Sequence, residues 1–411
     1  MRIALATTEF LTEKTYDGGL SNYIYRVSKS LQSLGHEPIV FVASSTNEDI
    51  KYNGIAVIRI NEKQLTWWYW LLNVITLFRL NPALLFMVRS YRFKKRISLY
   101  HKSHPIDIVH YTNSMALAIF KPKNIPSVIR ISSYQKLLDA ASGNKQTFRL
   151  WQKQYLQDIM LKRANHIFGP SKIIGNHIAQ KFNKEIALIE TPFVLENTNV
   201  SDERLNEILI QTNNNPYLLY FGTLSLLKGL LDIADILEQL FEKYPSHYFV
   251  FIGKDISING KPILEILKEK AGKYSPRIIW YSSTPHNLLY PIIQNAELVV
   301  LPSRLDNFPN TCIEAMALGK VVVGTYKTSF EQLIDPNVSG LLCEHSNPQS
   351  LIKSINDGLL MNEGEKEIMG EKAKERIEKL KPEIVVNELV KYYERVIADK
   401  LTSYKKENNI R

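Results

Sequence analysis

Cysteine is scarce in this chain: Cys312 and Cys343 are the two thiols among 411 residues. They show no metal-ligand spacing, so no zinc site is suggested, and so few thiols in so long a chain fit a reducing compartment. Long apolar runs are missing too. Leu65 to Phe78 is uncharged but well short of the roughly 20 residues a spanning helix needs. The apolar run after Met1 is too short for a signal peptide and reads as a first buried strand, so the expected location is the cytoplasm. No G-x-G-x-x-G argues for a nicotinamide or flavin cofactor, and no Asp-x-Asp pair argues for a metal. No nucleic-acid recognition module is visible and the basic residues are spread out, so no nucleic-acid partner is expected.

What is present is the profile of a soluble globular protein, with 45% apolar and 22% charged residues. The formal charge of +10 implies an affinity for something anionic without choosing among nucleic acid, anionic lipid and phosphorylated metabolites. The length fits two domains. Short apolar runs alternate with helical stretches: Ile3 to Thr7, a helix from Leu20 to Leu34, then Pro38 to Ala43, which is a βαβ unit and predicts a parallel sheet. Ile106 to Tyr111, Ser127 to Ile131, His166 to Phe168 and Ala187 to Ile189 extend the series. A second series follows at Tyr217 to Phe221, Tyr248 to Ile252, Arg277 to Trp280, Leu298 to Leu301 and Val321 to Val323. The expected fold is α/β, two doubly wound parallel-sheet (Rossmann-like) domains over 1–195 and 205–383, facing across a cleft. Polar Glu196 to Asn215 reads as their connection, a last helix from Ile384 crosses back to the first domain, and Tyr404 to Arg411 frays.

One segment departs from this pattern. Leu65 to Phe78 is rich in tryptophan and is followed by Arg79, Arg89, Arg92, Lys94, Lys95 and Arg96. Two readings fit: residues 65–101 lie on an anionic membrane surface, or they form a long helix packed on the sheet with a solvated basic end.

Three loops carry chemistry. Val299 to Gly319 leaves a short strand, breaks at Pro302, crosses a polar loop with Asp306 and enters a helix bearing Glu314. Asn310 or Thr311 is the expected N-cap, and the N–H groups behind it suit an anion. Gly18-Gly19 opens the first long helix; paired glycines permit close backbone approach to a phosphate, and a plain strand-to-helix turn explains them as well. Tyr220-Phe-Gly222-Thr223 runs through a loop to Lys228-Gly229, placing a cation near a helix start, where a departing pyrophosphate needs one. The plainer reading of Lys228 is a surface lysine.

Taken together, the Lys228 loop and Asp306-Asn-Phe-Pro-Asn-Thr-Cys-Ile-Glu314 resemble the retaining glycosyltransferases of family 4, which have the GT-B fold. The likeness runs from Gly18-Gly19 to Leu342. It implies that Glu314 accepts hydrogen bonds from the ribose hydroxyls of a nucleotide sugar and Asp306 contacts the donor sugar. Asn307, Phe308, Pro309, Asn310 and Thr311 then lie near the sugar and β-phosphate, and Gly222, Thr223 and Lys228 near the phosphates. Tyr281 and Ser282 fall where such enzymes hold the base, and Gly18, Gly19 and Ser132 are carried over from the first domain.

Three positions depart from the family pattern: Asp306 stands where Glu is usual, Thr223 replaces the usual arginine, and Ser132 replaces the histidine that often follows the Pro126-Ser-Val-Ile strand. No general base is identifiable, and the leaving phosphate can accept the acceptor's proton. The implied reaction moves a sugar from a UDP- or GDP-sugar to a hydroxyl of a glycan or lipid-linked glycan in cell-surface polysaccharide synthesis, without metal or other cofactor. A nucleotide-sugar-binding subunit without activity and a GT-B epimerase are the alternatives.

Overall fold

The computed structural model describes residues 1–13, 18–62, 67–195 and 199–409. Leu65 and Thr66 of the tryptophan-rich segment, 196–198 of the expected connection and the last two tail residues lie outside them. The chain divides into two compact units, one of Met1–Asp139, Asn144–Pro192 and Lys381–Arg411, the other of Ala140–Gly143 and Phe193–Leu380.

The first unit is built on eight strands: β1 (Arg2–Thr7), β2 (Glu37–Ser44), β3 (Asp49–Tyr52), β4 (Ile55–Asn61), β5 (Ile108–Thr112), β6 (Ser127–Arg130), β7 (Ile167–Gly169) and β8 (Ala187–Leu188). Their order is β3-β4-β2-β1-β5-β6-β7-β8. Every pairing is parallel except β3 with β4, a hairpin turned by Asn53 and Gly54, both at positive φ. Helices on both faces explain why β1 and β5 are near-continuous apolar runs. The last helix, Pro382–Asn409, belongs to this unit and buries Val386, Leu389 and Tyr393 with Ile3, Leu5 and Tyr23. No glycine or proline follows Pro382, and the helix continues to Asn409.

Under that helix lies a polar cluster. His110 Nδ1 meets the Tyr393 hydroxyl at 2.6 Å, and the Arg130 guanidinium sits 3.6 Å from the centre of the Tyr23 ring. Arg130 donates to Ser132 Oγ at 2.8 Å and Thr191 Oγ1 at 3.0 Å. Burial, and then the charge of Arg130, push His110 down from 6.5 to about 3. The folded state therefore holds His110 neutral while the unfolded chain protonates near its ordinary value. Stability from this group is complete above about pH 6.5 and is lost progressively as pH falls toward 3, by about 1.4 kcal/mol per unit.

The second unit carries β9 (Tyr217–Phe221), β10 (Tyr248–Ile252), a ribbon of β11 (Ser257–Ile258) and β12 (Lys261–Pro262), β13 (Ile278–Tyr281), β14 (Leu298–Val300), β15 (Val322–Thr325) and β16 (Leu341–Cys343). Its main sheet runs β13-β10-β9-β14-β15-β16, all parallel. Part of the expected connection is structured here, since Glu203–Gln211 is a helix with Ile208 buried in this unit's core.

A His110→Gln variant isolates the titration: its stability deficit against the parent should shrink by about 2 kcal/mol between pH 7 and pH 5. Thermal midpoints of both proteins at each pH measure this, and parallel pH profiles would contradict it.

Candidate functional site

In the second unit β9 lies between β10 and β14, so the chain leaves β9 on one side and returns to its other side as β14. The loops after β9 and β14 thus leave a gap at the carboxyl edge of the sheet, where open α/β sheets take ligands. Both expected motifs are on these loops. Gly222 stands at φ +123, and Thr311 of the second loop lies 3.4 Å from where a Cβ on it would be. Gly229 follows Lys228 at φ +73, and a Cβ there would be 1.9 Å from the Pro302 carbonyl oxygen. Arg304 N–H donates to the Leu227 carbonyl at 2.8 Å, joining the two loops, and the Arg304 guanidinium holds Asp232 at 2.8 Å.

Lys228 Nζ forms an ion pair with Asp306 Oδ2, both side chains being partly buried. The Asp306 carbonyl accepts from Ser329 Oγ at 3.0 Å, which fixes the loop's path. Tyr220 lies beneath, donating to the Thr223 carbonyl at 2.8 Å, and burial followed by the Asp306 charge raises its hydroxyl well above the ordinary range. Thr223 itself is exposed. Asn307 Oδ1 is buried and has no hydrogen-bond partner among the described residues.

The helix Asn310–Ala317 differs from expectation at its start. Pro309 is the N-cap, at φ −72 and ψ 106, and Asn310 is the first helical residue. Proline's fixed φ holds the chain extended into the first turn, and it has no side-chain acceptor. No side chain caps this helix, so its leading N–H groups face outward without that competitor. Phe308 and Pro309 are buried beside it. Glu314, one turn further, is 8% exposed, and His286 Nε2 lies 3.6 Å from its Oε1. His286 opens the helix His286–Asn295 and stacks on Tyr290 at 5.3 Å. Sequence reasoning missed this histidine; its signal was Pro285-His286 at a helix start just after β13.

Tyr281 ends β13, two strands from β9, accepts from Gln211 Nε2 at 2.7 Å and lies under the Arg204 guanidinium at 4.5 Å. Burial, then Glu207, raise its hydroxyl. The Ser282 carbonyl accepts from Thr284 Oγ1 at 3.1 Å. Burial raises the Cys312 thiol well above its ordinary range and pushes Cys343 to about 12, so neither is poised as a nucleophile. Among the described residues no group of three or more His, Cys, Asp or Glu is arranged to hold a metal.

In the first unit, Gly18 has φ +72, precedes the helix Gly19–Ser33 and would have open space around a Cβ. Ser132 follows β6; its N–H donates to Asn113 Oδ1 at 2.9 Å and its hydroxyl accepts from Arg130. The tryptophan-rich segment is two helices, Trp67–Ile75 and Asn81–Ser103, parted where Leu77 and Phe78 take positive φ. Trp67 and Ile75 are 76% and 66% exposed, and Trp70, Leu71, Val74 and Leu77 are also exposed. The helix Phe148–Arg163 adjoins them, Gln152 Nε2 donating to the Arg79 carbonyl at 2.7 Å. It adds an exposed stack of Phe148, Trp151 and Tyr155, with ring centres 5.6 and 5.0 Å apart. Not all of the basic residues form a free face: Arg89 pairs with Glu62, Arg96 with Asp49, and Arg92 donates to the Asn61 carbonyl. Among the described residues no helix is long and apolar enough to cross a membrane.

Two Rossmann-like units, one with a cation and two carboxylates around an uncapped helix start at its switch point, define a protein of the GT-B fold. The chain belongs to glycosyltransferase family 4: the model described as Glycosyltransferase Family 4 matches residues 17–196, and that of Glycosyl transferases group 1 matches 201–376. A D-inositol 3-phosphate glycosyltransferase of Corynebacterium urealyticum is 28% identical over 42% of this chain and 42% of its own length. A GDP-mannose:cellobiosyl-diphosphopolyprenol alpha-mannosyltransferase of Xanthomonas campestris is 22% identical over 34% of this chain and 36% of its own. The matches thus span about two fifths of these relatives. Among solved structures, sucrose-phosphate synthase of Thermosynechococcus elongatus shares the fold at a TM-score of 0.75 and 16% identity, covering 97% of this chain and 99% of that one. Anabaena HepE, solved with UDP and glucose, gives 0.66 at 14% identity, covering 95% and 98%.

The contact at Gly229 makes a direct test of the joined loops. Gly229→Ala forces a side chain against the Pro302 carbonyl in a left-handed conformation and should cost at least about 2 kcal/mol. A thermal midpoint equal to the parent's would show that the loops do not need the close approach.

Proposed function

We propose that this protein is a retaining glycosyltransferase that moves a sugar from a nucleoside diphosphate, UDP or GDP, to a hydroxyl of a glycan or lipid-linked glycan. The observation that carries the reading is the convergence of Lys228, Asp306 and an uncapped helix start at the switch point beside β9. In this reading the diphosphate lies on Lys228 and the first N–H groups of Asn310–Ala317, next to Gly222 and Thr223. Glu314 takes the ribose hydroxyls, with His286 holding its carboxylate, and Tyr281 and Ser282 lie toward the base. Asp306 and the unpartnered Asn307 Oδ1 meet the sugar.

The chemistry then needs little from the protein beyond positive field. The bond from the anomeric carbon to the β-phosphate oxygen breaks, the acceptor oxygen bonds the same face of that carbon, and the acceptor's proton passes to the departing phosphate. Lys228 and the helix N–H groups stabilise the charge that builds on the diphosphate, so no metal is required. Gly18, Gly19 and Ser132 are assigned to the acceptor side. A diphosphopolyprenol-linked acceptor is named for the Xanthomonas relative, which supports a lipid-linked one here and a place in cell-surface polysaccharide synthesis.

Replacing Lys228 with Ala should lower kcat/KM by about a hundredfold or more, mostly through kcat. Glu314→Ala should instead raise the apparent Kd for the donor nucleotide. Donor hydrolysis and transfer unchanged in both variants would sink the assignment, and donor binding without turnover over a panel of acceptors would favour the inactive-subunit alternative.

The exposed aromatics of Trp67–Ile75 and Phe148–Arg163 support contact of the first unit with an anionic membrane surface at the cytoplasmic face. No acidic residue lies between Glu62 and Asp107, while Arg79, Lys95, Arg149 and Lys153 are exposed near the two aromatic groups in sequence. The double variant Trp70→Ser, Trp151→Ser should bind phosphatidylglycerol vesicles roughly tenfold more weakly in a flotation assay. Flotation equal to the parent's would remove the membrane from the reading.

A further inference from the structure

A concave polar pocket lies in the first unit, at the opposite edge of the sheet from Gly18 and Ser132. A pocket of about 570 Å³ opens at the amino ends of β6 and β7 and along Pro382–Asn409, lined by Lys121, Lys123, Asn165, His166, Asp399 and Lys400 among others. Lys121 is half-buried there and makes no hydrogen bond or ion pair among the described residues. Its surroundings are cationic. Burial first, and then the charges of Lys184 and Lys400, disfavour its ammonium form. His166 is held below its ordinary range by burial and by the charges of Lys121 and Arg395, with Asp399 acting the other way. Lys184 turns its amine to the Ala164 carbonyl, so a backbone oxygen is its neutral partner. Three lysines, Lys121, Lys123 and Lys400, thus line the pocket with one carboxylate, Asp399, while Lys184, Arg395 and the Glu185 carboxylate act from beside it.

Like charges gathered at a half-buried site repel one another, and an anion placed between them relieves that repulsion. Lys121 pairs with no carboxylate among the described residues. We propose that this pocket binds a phosphate-type oxyanion, with Lys121 donating from below, Lys400 from the last helix and the Asn165 amide from the loop before β7. The ligand class follows from the donors, which are several cations and an amide in a concave polar site with a single opposing charge. This site is separate from the donor loops of the second unit, and its occupancy does not depend on what those loops bind.

The test uses the full chain carrying Lys228→Met, so that the donor loop's cation is removed, with and without Lys121→Met. Inorganic pyrophosphate and glycerophosphoglycerol, a lipid headgroup without its chains, are titrated separately by calorimetry. Lys121→Met should weaken binding of one of them roughly tenfold, pyrophosphate marking a soluble ligand and glycerophosphoglycerol a lipid headgroup. Without added anion the same substitution should raise the thermal midpoint, since it removes one of several mutually repelling charges from a half-buried site. Saturating ligand should raise the midpoint of the Lys121 protein and not that of the variant. Equal affinities for both probes with and without Lys121 would overturn the proposal, as would absence of measurable binding to the Lys121 protein. A lysine serving only to pack the sheet edge would lower the midpoint on substitution and move neither titration.

Discussion

The position of β9 between β10 and β14 is the constraint on which the second unit's chemistry rests. Parallel strands put all carboxyl ends at one edge, and the reversal of strand order leaves a gap there. Into that gap come the loop ending in Lys228 and the loop carrying Asp306. Their approach is so close that Gly229 meets the Pro302 carbonyl and Gly253 meets the carbonyl of Gly222, contacts a Cβ would turn into clashes. Glycine at these positions is a packing requirement as much as a backbone one, and it sets how near Lys228 comes to the helix start.

The first unit solves a different problem, that of holding a long terminal helix against a sheet with polar groups between them. Arg130 is 5% exposed, and it donates to the hydroxyls of Ser132 and Thr191 and lies over the face of Tyr23. Burial holds its charge below the ordinary range, yet guanidinium basicity is high enough that it stays charged. That fixed charge, with burial, keeps His110 neutral and available to the Tyr393 hydroxyl. The arginine also reaches Ser132, so that hydroxyl is oriented by a cation.

Much of the fold was legible because parallel strands buried on both faces are short apolar runs, and Tyr217–Phe221 and Tyr248–Ile252 coincide with those runs. The hairpin of β3 and β4 was not read, although Asn53-Gly54 is a strong turn signal, because Asp49–Tyr52 is polar and lies at the edge of the sheet. The helix Glu203–Gln211 was hidden by its polar exposed face, which resembles a linker when only Ile208 is fully buried. At the site, the carboxylates and the lysine could be named from spacing, but His286 could not. It comes to Glu314 across the sheet edge from another loop, a tertiary contact with no fixed offset in the chain. The same holds for the stack of Phe148, Trp151 and Tyr155, whose helical spacing reads as core until neighbouring elements show which face is covered.

The Lys228–Asp306 ion pair gives the proposed reaction a definite starting state. With no diphosphate bound, the lysine is neutralised by the same carboxylate that the reading assigns to the sugar. A diphosphate carries more negative charge than one carboxylate and offers several oxygens, so it competes for Lys228, helped by the N–H groups of Asn310–Ala317 that no side chain caps. Release of Asp306 from the lysine frees its oxygens as acceptors for sugar hydroxyls. Donor binding and construction of the sugar site then become one exchange of partners: the phosphate displaces the carboxylate, and the carboxylate turns to the sugar the phosphate brought. A free nucleotide diphosphate would make the first half of that exchange without the second, leaving Asp306 uncompensated in a partly buried loop. In the proposed reaction that asymmetry favours the sugar-bearing donor over the spent nucleotide.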